Sequence, residues 1–117
     1  MRTNLEYLRS MSGDSTELIV ELIDIFNDQV IEFSSNLQSY LDKKDYDALG
    51  KLAHKAKSSV SIMGMSELSG KLKDLEMDVK TATNIEGYQE YVNFFKAESL
   101  EAVKELNDYK NKINQLK

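Results

Sequence analysis

A chain of 117 residues is long enough to bury one core and too short to add a nucleotide-binding catalytic domain, so a single domain over residues 1–117 is expected. The absence of Cys removes thiol catalysis, disulfides and thiolate metal sites, and a single His leaves no spacing for a zinc site. With 20 Asp+Glu against 15 Lys+Arg the net charge is −5, the wrong sign for a general nucleic-acid binder.

Zero Pro and only five Gly favour an all-α chain. Asn4 to Met11 predicts a short helix with Leu5 and Leu8 as its apolar face, interrupted by Ser12-Gly13-Asp14 and expected to cover one end of the domain. Asp14, with Glu17 three positions on, has the pattern of an N-cap and its reciprocal partner. It opens a long helix with apolar positions Leu18, Leu22, Ile25, Phe26, Phe33, Leu37 and Leu41. Lys43 and Lys44 suit the C-terminal end of that helix and Asp45 suits the N-cap of the next, which makes the connection tight. The third helix is predicted to run to about Met63, closed by Gly64 in the left-handed conformation. Ser66 is then expected to cap a fourth helix, striped by Leu68, Leu72, Leu75 and Val79 with Glu76 at the edge of the stripe. Thr81 to Asn84 break the pattern. Beyond them Ile85, Tyr88, Val92, Phe95, Val103, Leu106, Ile113 and Leu116 recur at three- and four-residue steps, giving a last helix expected to be the longest. Four long amphipathic segments with short connections predict an antiparallel up-down-up-down four-helix bundle with a short N-terminal helix. No apolar run approaches the length of a membrane span and MRTNLEYL does not read as a signal peptide, so no membrane partner and a cytoplasmic location are expected.

The lone histidine lies in the stretch Leu52 to Glu76, LAHKAKSSVSIMGMSELSGKLKDLE. At about 100° per residue, Leu49, Leu52, Ala53, Ala56, Val60 and Met63 cluster on one side and His54 falls roughly 150° from their centre, so the imidazole is predicted to face outward. Ser58 and Ser61, one and two turns on, share its face, with Lys57 on the flank, so a partner can approach the ring closely. His54, Lys57, Ser59, Gly64, Leu68 and Leu75-Glu76 resemble the spacing of histidine-containing phosphotransfer (HPt) domains, whose motif reads roughly H-x-x-K-G-[SA]-x-x-x-x-G-x-x-x-[LIV], with a Glu or Gln later. Upstream, Asn4-Leu5-Glu6-Tyr7-Leu8, the acidic and apolar run Leu18 to Phe26, and Asp45-Tyr46-Asp47-Ala48-Leu49 also look like that family's lead-in. The resemblance covers roughly Asn4 to Glu76 and departs from the family at Ser58, where Gly is usual.

A neutral imidazole is a competent nucleophile toward phosphorus near neutral pH, and attack through Nε2 requires the proton on Nδ1. A carboxylate accepting that N–H fixes the tautomer, a role given to Glu76 by its place at the edge of its stripe and by its resemblance to the family's Glu or Gln. The Lys57 ammonium balances the charge arriving with a phosphoryl group. There is no Gly-rich phosphate loop and no pair of metal-binding carboxylates near His54, so the phosphate must come from and leave to another protein. The resemblance therefore implies a phosphorelay intermediate without kinase activity of its own. His54 would take a phosphoryl group from an Asp of one response-regulator receiver domain, fed by a hybrid sensor histidine kinase, and pass it to an Asp of another. Ser58, Ser61 and Gly64 would line the docking surface, and no cofactor is implied, since Mg would belong to the receiver. Two other readings stay open: the phospho-accepting domain of a chemotaxis-type histidine kinase, and a non-catalytic adaptor bundle. A sensor-kinase dimerisation domain fits worse, because Lys55 follows His54 where that family has an acidic residue. A monomer is expected, with Leu100 to Leu116 as the stretch that would pair with a second copy if it overhung the bundle.

Overall fold

The computed structural model describes residues 2–115, with side chains described through residue 113. It comprises α1 (Leu5–Met11), α2 (Thr16–Asp42), α3 (Tyr46–Ile62), α4 (Ser66–Lys80) and α5 (Tyr88–Gln115), with a 3-10 turn at Ile85–Gly87 before α5. No strand occurs among the described residues. Leu116, the last predicted apolar position, lies outside them.

The helix ends follow local chemistry. Asn4 caps α1 by accepting from the Tyr7 N–H, and Asp45 caps α3 by accepting from the Ala48 N–H after Lys44 turns the chain at φ 57°. Gly64 closes α3 at φ 73°, and a Cβ there would also stand 2.4 Å from Cβ of Asn4, so glycine answers two demands at once. Two expected caps are corrected. Asp14 does not cap α2: it sits in the left-handed region at φ 61° and pairs with Arg9 at 3.2 Å, whereas a cap needs extended backbone. Ser15, at φ −72° and ψ 112°, takes the position, and its Oγ accepts from the Leu18 N–H. Ser66 is the first residue of α4 rather than its cap; the cap position falls to Met65, whose buried side chain offers no acceptor.

α2 packs on α3 and α5, α4 packs on α3 and α5, and α1 reaches α3. At about 1.5 Å per residue, α2 and α5 run roughly 40 Å while α3 and α4 run roughly 24 Å, so part of the long pair extends past the short one. Asn27 bonds Asn107 at 3.0 Å and Lys110 pairs with Asp24 at that extension, while Gln38 and Gln89 exchange amide hydrogen bonds nearer the other end of the long pair. A second correction concerns the phase of α2. Phe26, Phe33 and Leu37 are buried as predicted, joined by Ile19 and Ile23, whereas Leu18 and Ile25 are exposed and Leu22 is only partly buried, because at about 100° per residue these three fall roughly 60–120° to the side of the buried line.

The extension is covered rather than free. Glu105 accepts from the backbone N–H groups of Arg2 and Thr3 and from the Thr3 hydroxyl, which straps residues 2–4 across α5, and Leu8 is fully buried. Leu106 is fully buried and Ile113 is 9% exposed, so α5 is packed through the last residue whose side chain is described. Ile85 is exposed, unlike its prediction, because it belongs to the 3-10 turn and not to α5. Near it Asp78 closes α4 onto α5: its carboxylate accepts from the Tyr91 hydroxyl and its carbonyl from Tyr88. Burial and then Asp78 push both phenols above their ordinary range.

Candidate functional site

The site grows from small residues that let α3 and α4 approach. A Cβ at Gly50 would stand 2.9 Å from Cγ1 of Val79, so the two backbones meet there more closely than any larger residue allows. Ala53 and Ala56 are fully buried along the inner side of α3, and further on Ser61 Oγ lies 2.9 Å from Ser69 Oγ while donating to the Lys57 carbonyl at 2.8 Å. Between these two contacts the gap is narrow enough for one glutamate to bridge it.

Glu76 does so. Its Oε1 lies 2.9 Å from Nδ1 of His54, and its Oε2 accepts from Nζ of Lys57 at 3.1 Å. The carboxylate and the ammonium are each about 25% exposed, whereas the His54 side chain is 64% exposed. Burial alone pushes the Glu76 carboxyl up, but the hydrogen bond and charge of Lys57, followed by those of His54, outweigh it and hold the group below the ordinary carboxylate range. Glu76 is therefore ionised at neutral pH, and an ionised carboxylate can only accept. The proton of a neutral His54 consequently sits on Nδ1, and Nε2 is left as a lone pair directed to solvent.

Of the residues singled out in the sequence, His54, Lys57 and Glu76 meet in one constellation. Ser58 is exposed one turn beyond His54, while Ser61 is partly buried and engaged with Ser69. Gly64 lies ten residues on from His54, just past the C-terminal end of α3, under the N-terminal strap and away from the ring. A shallow groove of about 420 Å³ runs beside the ring between Asp47, Gly50 and Lys51 on α3 and Glu76, Val79 and Lys80 on α4. No group of residues able to hold a metal ion occurs among the described residues, and none of their helices is long and apolar enough to cross a membrane.

No family model, characterised protein or solved structure matches the chain. Sequence reasoning missed Gly50 and Ser69, which set the approach of the two helices, and Lys51 and Lys80, which flank the ring. Spacing held the signal: Ser69, Lys73, Glu76 and Lys80 follow at four-, three- and four-residue steps and so share one flank of α4, the flank that meets His54.

Proposed function

We propose that this chain is an HPt-like phosphotransfer domain in which His54 carries a phosphoryl group between Asp residues of response-regulator receiver domains. The observation that supports the reading is the pair of contacts on Glu76, which leave Nε2 of an outward imidazole unprotonated and in reach of a partner. The four long helices are read as an up-down-up-down bundle. Support comes from the short connections and from cross-helix pairs at matched heights: Gln38 with Gln89 and Asp24 with Lys110 on the long pair, Gly50 with Val79 and Ser61 with Ser69 on the short pair.

In the proposed transfer the Nε2 lone pair attacks the phosphorus of an aspartyl phosphate; the P–N bond forms as the P–O bond to the donor carboxylate breaks, and that carboxylate leaves as the anion. The ring then carries phosphorus on Nε2 and hydrogen on Nδ1, a cation whose charge the Glu76 carboxylate offsets. Lys57 holds the second oxygen of Glu76 and keeps its two other N–H donors for the incoming phosphoryl oxygens. The reverse attack by an acceptor carboxylate returns the electron pair to Nε2. Mg belongs to the receiver, the upstream donor is a hybrid sensor histidine kinase, and the domain works as a cytoplasmic monomer.

The test is transfer of label from phosphorylated receiver domains. Label should appear as an acid-labile, base-stable phosphoramidate and be lost in His54→Gln, whose melting curve should match the parent because the ring is largely exposed. Label that survives acid, or that persists in His54→Gln, would contradict the proposal.

A further inference from the structure

Charge in this chain is segregated. α2 carries Glu17, Glu21, Asp24, Asp28, Glu32 and Asp42 and no Lys or Arg, so its outer ridge is acidic from Glu17 to Glu32, with Asp24 alone of these paired among the described residues, to Lys110. Solvated helix faces ordinarily mix signs, since like charges at three- and four-residue steps repel. The His54 face has the opposite bias in a protein of net charge −5. Lys51 and Lys80 line the groove beside the ring, Lys57 bonds Glu76, and Lys73 stands one turn before Glu76 on the same flank of α4. Only Asp47 and Glu76 oppose them there, and each is already engaged, Asp47 with Lys51 at 3.0 Å and Glu76 with His54 and Lys57. The remaining central carboxylates of α4 turn away: Asp74 and Asp78 both act on Tyr91 of α5. Among the described residues neither Lys73 nor Lys80 has an ion-pair partner.

We infer that the α3–α4 face is an electrostatic docking surface for an acidic protein, a receiver domain with carboxylates clustered around its phosphorylated Asp. Lys51, Lys73 and Lys80 steer the encounter, and the acidic ridge of α2 repels the same partner from the wrong side. The inference rests on the proposed function for the identity of the partner, but the charge distribution stands without it. A lysine fringe around an exposed nucleophile raises the local concentration of an anionic partner and acts on the association rate more than on the chemical step. The solvent-exposed lysines leave this attraction open to screening, whose range falls from about 10 Å at 0.1 M salt to about 3 Å at 1 M.

The experiment measures the second-order rate of phosphoryl transfer from a phosphorylated receiver domain, alongside labelling by phosphoramidate, a small donor that needs no protein docking. In the triple variant Lys51→Gln, Lys73→Gln, Lys80→Gln the protein-to-protein rate should fall about tenfold at low salt, the difference should vanish at high salt, and phosphoramidate labelling should change less than twofold. A second triple variant, Glu21→Gln, Asp28→Asn, Glu32→Gln, removes an equal amount of opposite charge from α2 and should not slow transfer. Parental transfer by the lysine variant at low salt would overturn the steering while leaving the phosphotransfer reading in place. A parent that takes label from neither donor would overturn both. A short DNA duplex that competes with the receiver through the same lysines would reassign the face to nucleic acid and also overturn the inference.

Discussion

The long helix pair and the short one differ in how they meet. α2 and α5 contribute the buried aromatics, Phe26 and Phe33 from one and Tyr88 and Phe95 from the other, all 2% exposed or less. α3 and α4 bury Leu49, Leu68, Leu72 and Leu75, but beside the site they meet through small residues, Gly50 against Val79 and Ser61 against Ser69. Large side chains remove apolar area from water and set the spacing of the frame. Small ones forgo that gain, and in return two backbones come close enough for one glutamate to bond a histidine and a lysine on the neighbouring helix. The aromatic packing thus lies in one pair, and the close approach that joins the reactive groups lies in the other.

The comparison breaks first if the frame proves dispensable. Phe33→Ala should lower the unfolding free energy by about 3–5 kcal/mol, read from the urea midpoint, because its ring is 2% exposed and sits under Lys55 at 5.7 Å. A loss below about 1 kcal/mol would mean that the long pair is not the frame. Next is the close approach of the short pair. Gly50→Ala should cost about 1–3 kcal/mol by forcing α3 from Val79, and should slow phosphotransfer as Glu76 is drawn from His54. Adding Val79→Ala should restore the rate, and failure to do so would show that spacing is not what Gly50 controls.

The strap gives a smaller effect with a pH signature. Burial acts to raise the Glu105 carboxyl, but the N–H groups of Arg2 and Thr3 and the Thr3 hydroxyl outweigh it and hold the group below the ordinary carboxylate range. A depressed folded value means that this stabilisation is fully present above the unfolded value, about 4.3, and is lost as pH falls through the folded value. Glu105→Gln should therefore cost about 1 kcal/mol at neutral pH and flatten the acid limb of the stability curve. An unchanged acid limb would exclude the strap as a titrating contact. The smallest effect on stability belongs to Ser58→Arg. Ser58 is exposed, so the change should stay within about 0.5 kcal/mol, while transfer falls steeply because a long side chain obstructs the approach to Nε2. Parental transfer by a folded Ser58→Arg protein would show that the partner docks elsewhere.

These contrasts follow what the sequence made legible. Helical periodicity and breaker residues located all five helices, and Asp45 and Gly64 marked their boundaries because each has one dominant local use. Outward orientation of His54 followed from the phase of Ala53, Ala56 and Val60, and the grouping of His54, Lys57 and Glu76 from the resemblance of their spacing to the HPt motif. Other features needed three dimensions. Asp14 and Ser15 compete for one cap, and the left-handed turn at Gly13-Asp14 decides between them. Leu18 and Ile25 belong to the apolar run of α2 but lie to the side of the line that Ile19, Ile23, Phe26, Phe33 and Leu37 bury. Gly50 reads as an ordinary helix glycine until Val79 is set beside it, and the hold of Glu105 on residues 2 and 3 spans most of the chain.

Everything proposed for the site turns on Glu76 fixing His54 with its proton on Nδ1 and Nε2 free to attack. Nitrogen NMR of the 15N-histidine-labelled protein, above the titration range of the ring, reports this directly on a chain with a single histidine. The parent ring should be the Nδ1–H tautomer, and Glu76→Ala should return it to the Nε2–H form that neutral imidazoles favour in water. An Nε2–H ring in the parent, or a tautomer unaffected by Glu76→Ala, would contradict this role of Glu76.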